Sequence, residues 1–488
     1  MKFIDLIRLA LCALAANLAY ANDRLPANVA QALKNAGIPA NAVGIYVKNL
    51  ADPAPLLALN AQTPLNPAST MKLVTTYAAL DLLGPAYAWQ TEALIDGTLV
   101  DGVLNGNLYL RGGGDPKLTY EQFGRLLRQV RAHGVREIRG DLVLDRSAFA
   151  AVDVEPGRFD GMGVRPYNAM PDALLLNFKA VAVLLMPERE NNRIKLGLEP
   201  APSNLDVVNQ LTLANGRGCG DWKERLRADI ARQGETIRLT LSGSYQPDCG
   251  EQRWNIALPD TPQYVFGVFR QLWAELGGQF GGQVGGQVGG NWRESAPPAD
   301  ARSLATLPSL PLAEIVRDIN KYSNNVMARQ LFLTLAMESD EPRRPATAER
   351  AAATVRTWLA QRKLSLPELV LENGSGLSRR ERISAQGLGR LLQSAWHSAT
   401  MPELMSSLPV AATDGTMRKR LKQNGVAGQA HIKTGSLEGV KSIAGFVLDQ
   451  NGQRWAVVFL VNHANAGAAQ AAMDALLQWV WQGGRNPE

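Results

Sequence analysis

Apolar and polar residues alternate through residues 43–60 (VGIYVKNL, then PLLALN), which predicts a pair of strands. The period then changes. Met71, Val74, Ala78 and Leu82 recur at spacings of three and four and Gly84-Pro85 follows, so a helix is expected to begin near Met71 and stop before Gly84. From about residue 89 to 292 the chain is strand-like and turn-rich, with apolar runs at 180–186 and 237–241. Within it, residues 277–290 read GGQF-GGQV-GGQV-GG. A four-residue period is too short for a solenoid unit, so the tract predicts an expanded loop or strand end without chemistry of its own. Beyond a Pro-rich patch at 296–311, helical periodicity returns at 312–337, 348–363 and 386–398. Two strand-like runs, 443–449 and 454–461, flank Gln450-Asn451-Gly452, a strong hairpin signal. A closing helix is expected at 468–481, its Trp479 and Trp481 either packing in the core, the favoured reading, or making peripheral contact with a membrane surface.

With 488 residues, 46% hydrophobic and 20% charged, the chain has the balance of a soluble globular protein of several domains. A disordered chain, a collagen and a polytopic membrane protein are excluded. Lys plus Arg number 51 against 45 acidic residues, a net +6 that favours anionic partners without choosing one, and no basic block marks a nucleic-acid arm. Lys2 and Arg8, an apolar run at 9–18 and the small-x-small site Ala19-Tyr20-Ala21 predict a secretory signal peptide over residues 1–21. The run is far shorter than the roughly 20 residues a bilayer span needs. A lipoprotein anchor at Cys12 fits poorly, because Leu11 precedes it. The exported chain keeps Cys219 and Cys249, either a natural pair in an oxidising compartment or two buried free thiols.

Ser69-Thr70-Met71-Lys72 opens the helix after Pro67. Residues three apart share a helix face, so Ser69 Oγ and Lys72 Nζ can meet. A serine hydroxyl is a poor nucleophile until a neighbour takes its proton, and a neutral lysine can do so. A helix N-terminus adds a backbone N–H and a positive dipole end where an oxyanion would form. Ser323-Asn324-Asn325 supplies a second hydroxyl and an amide in a helical region, or else a polar helix edge. Lys433-Thr434-Gly435-Ser436, at the front of the strand-hairpin-strand-helix ending, offers a fixed cation, a hydroxyl and a glycine that lets another backbone approach; an ordinary surface strand would look the same.

Each motif occurs once, in the order Ser-x-x-Lys, Ser-x-Asn, Lys-Thr-Gly, and the set resembles the penicillin-recognising serine transferases and β-lactamases. Five further segments, GGGDP at 112–116, Tyr167-Asn168-Ala169, ENGSGLSR at 372–379, DGTMRKR at 414–420 and HIKTGSLEGVKSIAG at 431–445, are similar to the class C low-molecular-mass penicillin-binding proteins. That family comprises D-alanyl-D-alanine carboxypeptidases/endopeptidases, and the similarity runs over nearly the whole exported chain. It implies an α/β (α+β) transpeptidase domain of penicillin-binding/β-lactamase type, an antiparallel sheet with flanking helices, over 22–85 plus 300–488. Two β-rich inserted domains, at 86–170 and 171–299, would interrupt it. It implies Ser69 as the acylated nucleophile, Lys72 as its general base, Ser323 as proton relay and Asn325 as holder of the substrate amide. Lys433 and Thr434 would hold a terminal carboxylate, with Gly435 beside them and the N–H groups of Ser69 and Ser436 forming the oxyanion hole. Peptidoglycan stem peptides and β-lactams would be the ligands and the periplasm the location, with no cofactor or metal needed.

Competing readings are a β-lactamase and a non-catalytic cell-wall-binding protein. Leu176-Asn177 is preceded by Ala173 where the lactamase Glu-x-x-Leu-Asn loop carries its acid, and a binding module need not keep all six polar positions. A Ser-His-Asp esterase lacks its Gly-x-Ser-x-Gly, and His133, His397, His431 and His463 form no His-x-x-x-His pair. Asp172 and Asn177 either contact a diamino-acid side chain of the substrate or close a turn.

Overall fold

The alternation at 43–60 does produce paired strands, β1 (Val43–Asn49) and β2 (Leu57–Leu59), with Ile45 opposite Leu59. The computed structural model describes residues 23–151, 156–214, 218–339, 344–423 and 425–484; the expected leader at 1–21 lies outside them. These divide into two units, the first built from residues of 1–80, 316–323 and 356–488 and the second from 81–315 and 324–355.

In the first unit β3 (Ala430–Leu437), β4 (Val440–Leu448) and β5 (Arg454–Asn462) complete an antiparallel sheet of order β2-β1-β5-β4-β3. Five helices matter here: α1 (Ala27–Asn35), α2 (Lys72–Leu83), α3 (Leu312–Tyr322), α4 (Ala385–Trp396) and α5 (Gln470–Trp481). Every β1 residue is buried because both faces are covered. Strand side chains alternate sides. Ile45 and Val47 join one core with Val29 and Leu33 of α1 and Leu476 and Leu477 of α5. Tyr46 turns the other way, towards α4, where Gly389 makes room: a Cβ there would come within 2.2 Å of the tyrosine ring. Trp479 is 6% exposed and belongs to the α1–α5 core, as its position in the closing helix suggested.

Two features depart from the sequence reading. The spacing at 71–82 predicts one apolar stripe, yet Lys72 through Leu80 are all buried while Leu82 is 41% exposed. A helix enclosed on all sides has no solvent face to impose a period. The helical run at 312–337 is broken: α3 ends at Tyr322, Ser323 takes a left-handed φ of 56°, and a new helix covers Asn325–Met337. Asn324 starts that helix by accepting the Met327 N–H at 3.0 Å, a side-chain N-cap that an apolar periodicity does not register.

The second unit is β-rich. A five-stranded sheet (Trp292–Glu294, Leu142–Asp145, Leu108–Gly112, Gln90–Ile95, Arg302–Pro308) shares a core with the helices Tyr120–Ala132 and Thr261–Glu275. Neither helix was expected from the strand-like character of the region, although Thr119 and Gln122 form a capping box and Asp260 caps the second. Two three-stranded sheets enclose a further core around Val183, Leu239 and Trp254. Cys219 and Cys249 are joined in a disulfide, which decides between the two readings of the pair. The glycine tract folds into strand ends and a small hairpin, Gln283–Val284 against Gln287–Val288, turning at Gly285 and Gly286, both with positive φ. Asp172 accepts the Leu174 N–H at 2.9 Å and two Arg146 Nε contacts at 3.0 and 2.9 Å, and Asn177 Nδ2 donates to the Ala180 carbonyl at 3.0 Å. The bonds to Leu174 and Ala180 each close a local turn.

Candidate active site

Ser69 sits in a 3-10 turn, Ala68–Met71, that runs directly into α2. The turn is tied from three directions within the first unit. The Asn66 N–H donates to Asn462 Oδ1 at 2.8 Å, Asn66 Nδ2 donates to the Ser378 carbonyl at 2.8 Å, and Asn66 Oδ1 accepts the Ala68 N–H at 2.9 Å. The Pro67 carbonyl accepts the Thr70 hydroxyl at 2.8 Å and the Ser442 hydroxyl of β4 at 2.6 Å. These bonds hold Ala68 at φ 46°, a left-handed conformation that an L side chain adopts only where its surroundings over-determine it. The consequence is a half-buried Ser69 whose Oγ lies 3.0 Å from Nζ of the fully buried Lys72.

The edge strand β3 passes beside this turn. A Cβ on Gly435 would lie 2.2 Å from Ser442 Oγ and 2.8 Å from both the Pro67 carbonyl oxygen and the Ser69 nitrogen. Only glycine lets the strand come this close to the nucleophile's backbone. Ser436, next along, is exposed and pairs in register with Lys441. Lys433 is 0% exposed, its Nζ 2.9 Å from Ser323 Oγ and 2.7 Å from the Thr434 carbonyl oxygen. Burial disfavours its charge and brings its pKa down to about 7. The left-handed turn at Ser323 ends α3 and delivers the hydroxyl to that lysine. Asn325 follows two residues later as the first residue of the next helix.

Three contributions come from segments that the sequence marked as similar to the family without giving any of their residues a role. Thr416, inside the DGTMRKR segment, accepts the Thr434 hydroxyl at 2.7 Å. Its loop is anchored by Asp414, which takes Lys321 Nζ at 2.6 Å and the Val410 N–H at 2.8 Å. The ENGSGLSR segment forms a loop beneath the nucleophile: the Ser375 carbonyl accepts Lys72 Nζ, and the Gly374 carbonyl accepts the Thr75 hydroxyl at 2.6 Å. Gly376 is pressed so tightly on this turn that a Cβ would be 1.9 Å from the Ala68 carbonyl oxygen. Short polar residues in a loop look alike in one sequence, and only the closed fold separates those that reach the site.

A serine beside a buried lysine on a helix-opening turn, with a Lys-Thr-Gly edge strand alongside, places this protein in the class of penicillin-binding serine peptidases. The wider comparison agrees. The model of the D-Ala-D-Ala carboxypeptidase 3 (S13) family matches residues 25–482, and the chain belongs to that family. It is 26% identical over 437 residues to D-alanyl-D-alanine carboxypeptidase DacB of Haemophilus influenzae, across 87% of this chain and 86% of that one. It is 27% identical over 446 residues to the D-alanyl-D-alanine carboxypeptidase of Actinomadura sp. strain R39, across 88% and 79%. The crystal structure of penicillin binding protein 4 from Haemophilus influenzae superposes with a TM-score of 0.77 at 25% identity, covering 93% of this chain and 99% of that one. Among the described residues no helix is long and apolar enough to cross a membrane.

Proposed function

We propose that the protein is an exported DD-carboxypeptidase and endopeptidase that trims peptidoglycan stem peptides and their cross-links through an acyl-Ser69 intermediate. The observation that carries this reading is the 3.0 Å approach of Lys72 Nζ to Ser69 Oγ on a turn held open by Gly435. Lys72 takes the hydroxyl proton as Oγ bonds to the carbonyl carbon of the penultimate D-Ala. The N–H groups of Ser69 and Ser436 stabilise the resulting oxyanion. The C–N bond then breaks, the departing amine receiving its proton through Ser323, and water hydrolyses the ester to free Ser69. Asn325 holds the substrate amide, and Lys433 and Thr434 hold the terminal carboxylate. A β-lactam presents the same carboxylate and a strained amide, and so acylates the same serine. Export to the periplasm is supported by the expected leader and by the Cys219–Cys249 disulfide, a bond that persists in oxidising compartments.

The test is the intact mass of the purified protein after brief exposure to excess penicillin, with peptide mapping. One long-lived adduct on Ser69, absent in Ser69→Ala and strongly slowed in Lys72→Ala, is expected. Rapid drug loss without an adduct would point to a β-lactamase. Neither adduct nor turnover in a folded sample would leave a binding module.

A further inference from the structure

The first unit buries one carboxylate whose place is not explained by the nucleophile, the proton relay or the carboxylate clamp. Glu381 is 0% exposed. Its Oε1 accepts three successive backbone N–H groups, from Glu372 at 3.1 Å, Asn373 at 2.9 Å and Gly374 at 2.9 Å. Its Oε2 is also buried and has no hydrogen-bond partner among the described residues. Placing an acid there is costly, since an unpaired buried carboxylate oxygen loses its hydration without replacement.

The geometry shows what the acid accomplishes. The three amides it gathers belong to the residues immediately before Ser375, whose carbonyl accepts Lys72 Nζ. The same short loop is fastened on its other side, where the Gly374 carbonyl takes the Thr75 hydroxyl from α2. Asn373 stiffens it further by accepting the Ser375 N–H at 2.9 Å and the Ser375 hydroxyl at 2.6 Å. Amides on one side and carbonyls on the other are thus each tied to a separate partner, so the Ser375 carbonyl has no freedom to swing away from the lysine.

We infer that Glu381 is a positioning residue for acylation: by collecting the loop's N–H groups on one oxygen, it fixes the Ser375 carbonyl against Lys72 Nζ and so aims the amine at Ser69. This rests on Lys72 being the base. Burial, the larger influence, raises the Glu381 carboxyl above its ordinary range, and the three amides and Lys72 offset that only in part. When ionised, a carboxylate accepts N–H donors more strongly than a neutral amide oxygen does, which distinguishes an acid from an amide at this position.

Stopped-flow acylation of the full chain by a fluorescent penicillin separates the pre-covalent dissociation constant from the acylation rate constant. Glu381→Gln, which keeps an acceptor but not the charge, is expected to acylate about tenfold more slowly with an unchanged dissociation constant. Glu381→Asp, which withdraws the carboxylate by one carbon, should lose more. Asp449→Asn alters the other buried acid among the unit's described residues, which serves the turn at Asn451 and Gln453, and should lower the melting temperature while leaving acylation unchanged. A folded Glu381→Gln or Glu381→Asp protein acylating at the wild-type rate, or a loss confined to the dissociation constant, would overturn the inference. Equal slowing in Asp449→Asn would reduce Glu381 to a general stability role and overturn it too. Wild-type protein that is not acylated on Ser69 would instead defeat the underlying assignment of the site.

Discussion

Lys433 Nζ rests 2.9 Å from Ser323 Oγ, although 110 positions of sequence separate the two residues. The contact joins the end of α3 to the edge of the sheet, and among the described residues it leaves the lysine with hydroxyl and carbonyl partners but no carboxylate among its hydrogen bonds. That is a vacancy in charge terms which an anionic substrate can fill.

A pH dependence follows from the Lys433 pKa of about 7. Below that value the ammonium is present and attracts a carboxylate; above it the neutral amine does not. Pre-covalent penicillin binding, measured with Ser69→Ala, should weaken as pH rises through about 7, and bound ligand should displace the midpoint upward. Stability moves the opposite way. Because the folded pKa lies below that of the unfolded lysine, this group's contribution to stability increases between about pH 7 and the ordinary lysine range. Binding that stays flat from pH 6 to 9 would contradict the clamp.

Gly435→Ala should cripple acylation. The added Cβ meets Ser442 Oγ at 2.2 Å, and that hydroxyl is the one bonded to the Pro67 carbonyl. Either the strand retreats from the nucleophile or the turn shifts. A fall in the acylation constant of about 100-fold is expected, with a stability cost of about 1–3 kcal/mol, as for other overpacked sites. The checks are stopped-flow acylation and thermal melting on one preparation.

Thr416→Val removes the acceptor of the Thr434 hydroxyl. One net hydrogen bond is worth about 0.5–1.5 kcal/mol. The dissociation constant for penicillin should therefore rise between about twofold and tenfold, while the acylation constant changes little. A titration with Thr416→Val and Thr416→Ser side by side checks this, because serine should restore the wild-type value.

Cys219→Ser with Cys249→Ser removes a cross-link between residues 30 apart. Loop entropy alone sets the loss at about 3–4 kcal/mol. The expected reading is an earlier denaturation midpoint, reproduced in the wild type by adding reductant and abolished as a difference once both samples are reduced.

How much of this was legible beforehand depended on the range of the interaction. Strand pairing at 43–60, the hairpin at Gln450-Asn451-Gly452 and the Ser69–Lys72 spacing are local, and the residue pattern carried them. The enclosure of α2 was hidden, because burial on all sides erases the period that marks a helix. The break at Ser323 was hidden as well, since a left-handed serine between two helices leaves no mark in apolar spacing. Glu381 and Thr416 act through loops that meet the site only after closure, at separations that a single sequence does not encode as a pattern. The disulfide was open at the level of residues, and proximity in the fold decided it.

The pairing of β1 with β5 sets an order of events for the chain's own synthesis. Val43 cannot find Val461, nor Asn66 find Asn462, until residues 454–462 have emerged. Contacts so distant along the polypeptide form late, after the intervening stretch has been made. The nucleophile turn therefore acquires its shape only once the strand that carries Asn462 has been made. A serine peptidase built this way stays inert until those strands have paired, with the timing of its activation written into strand order.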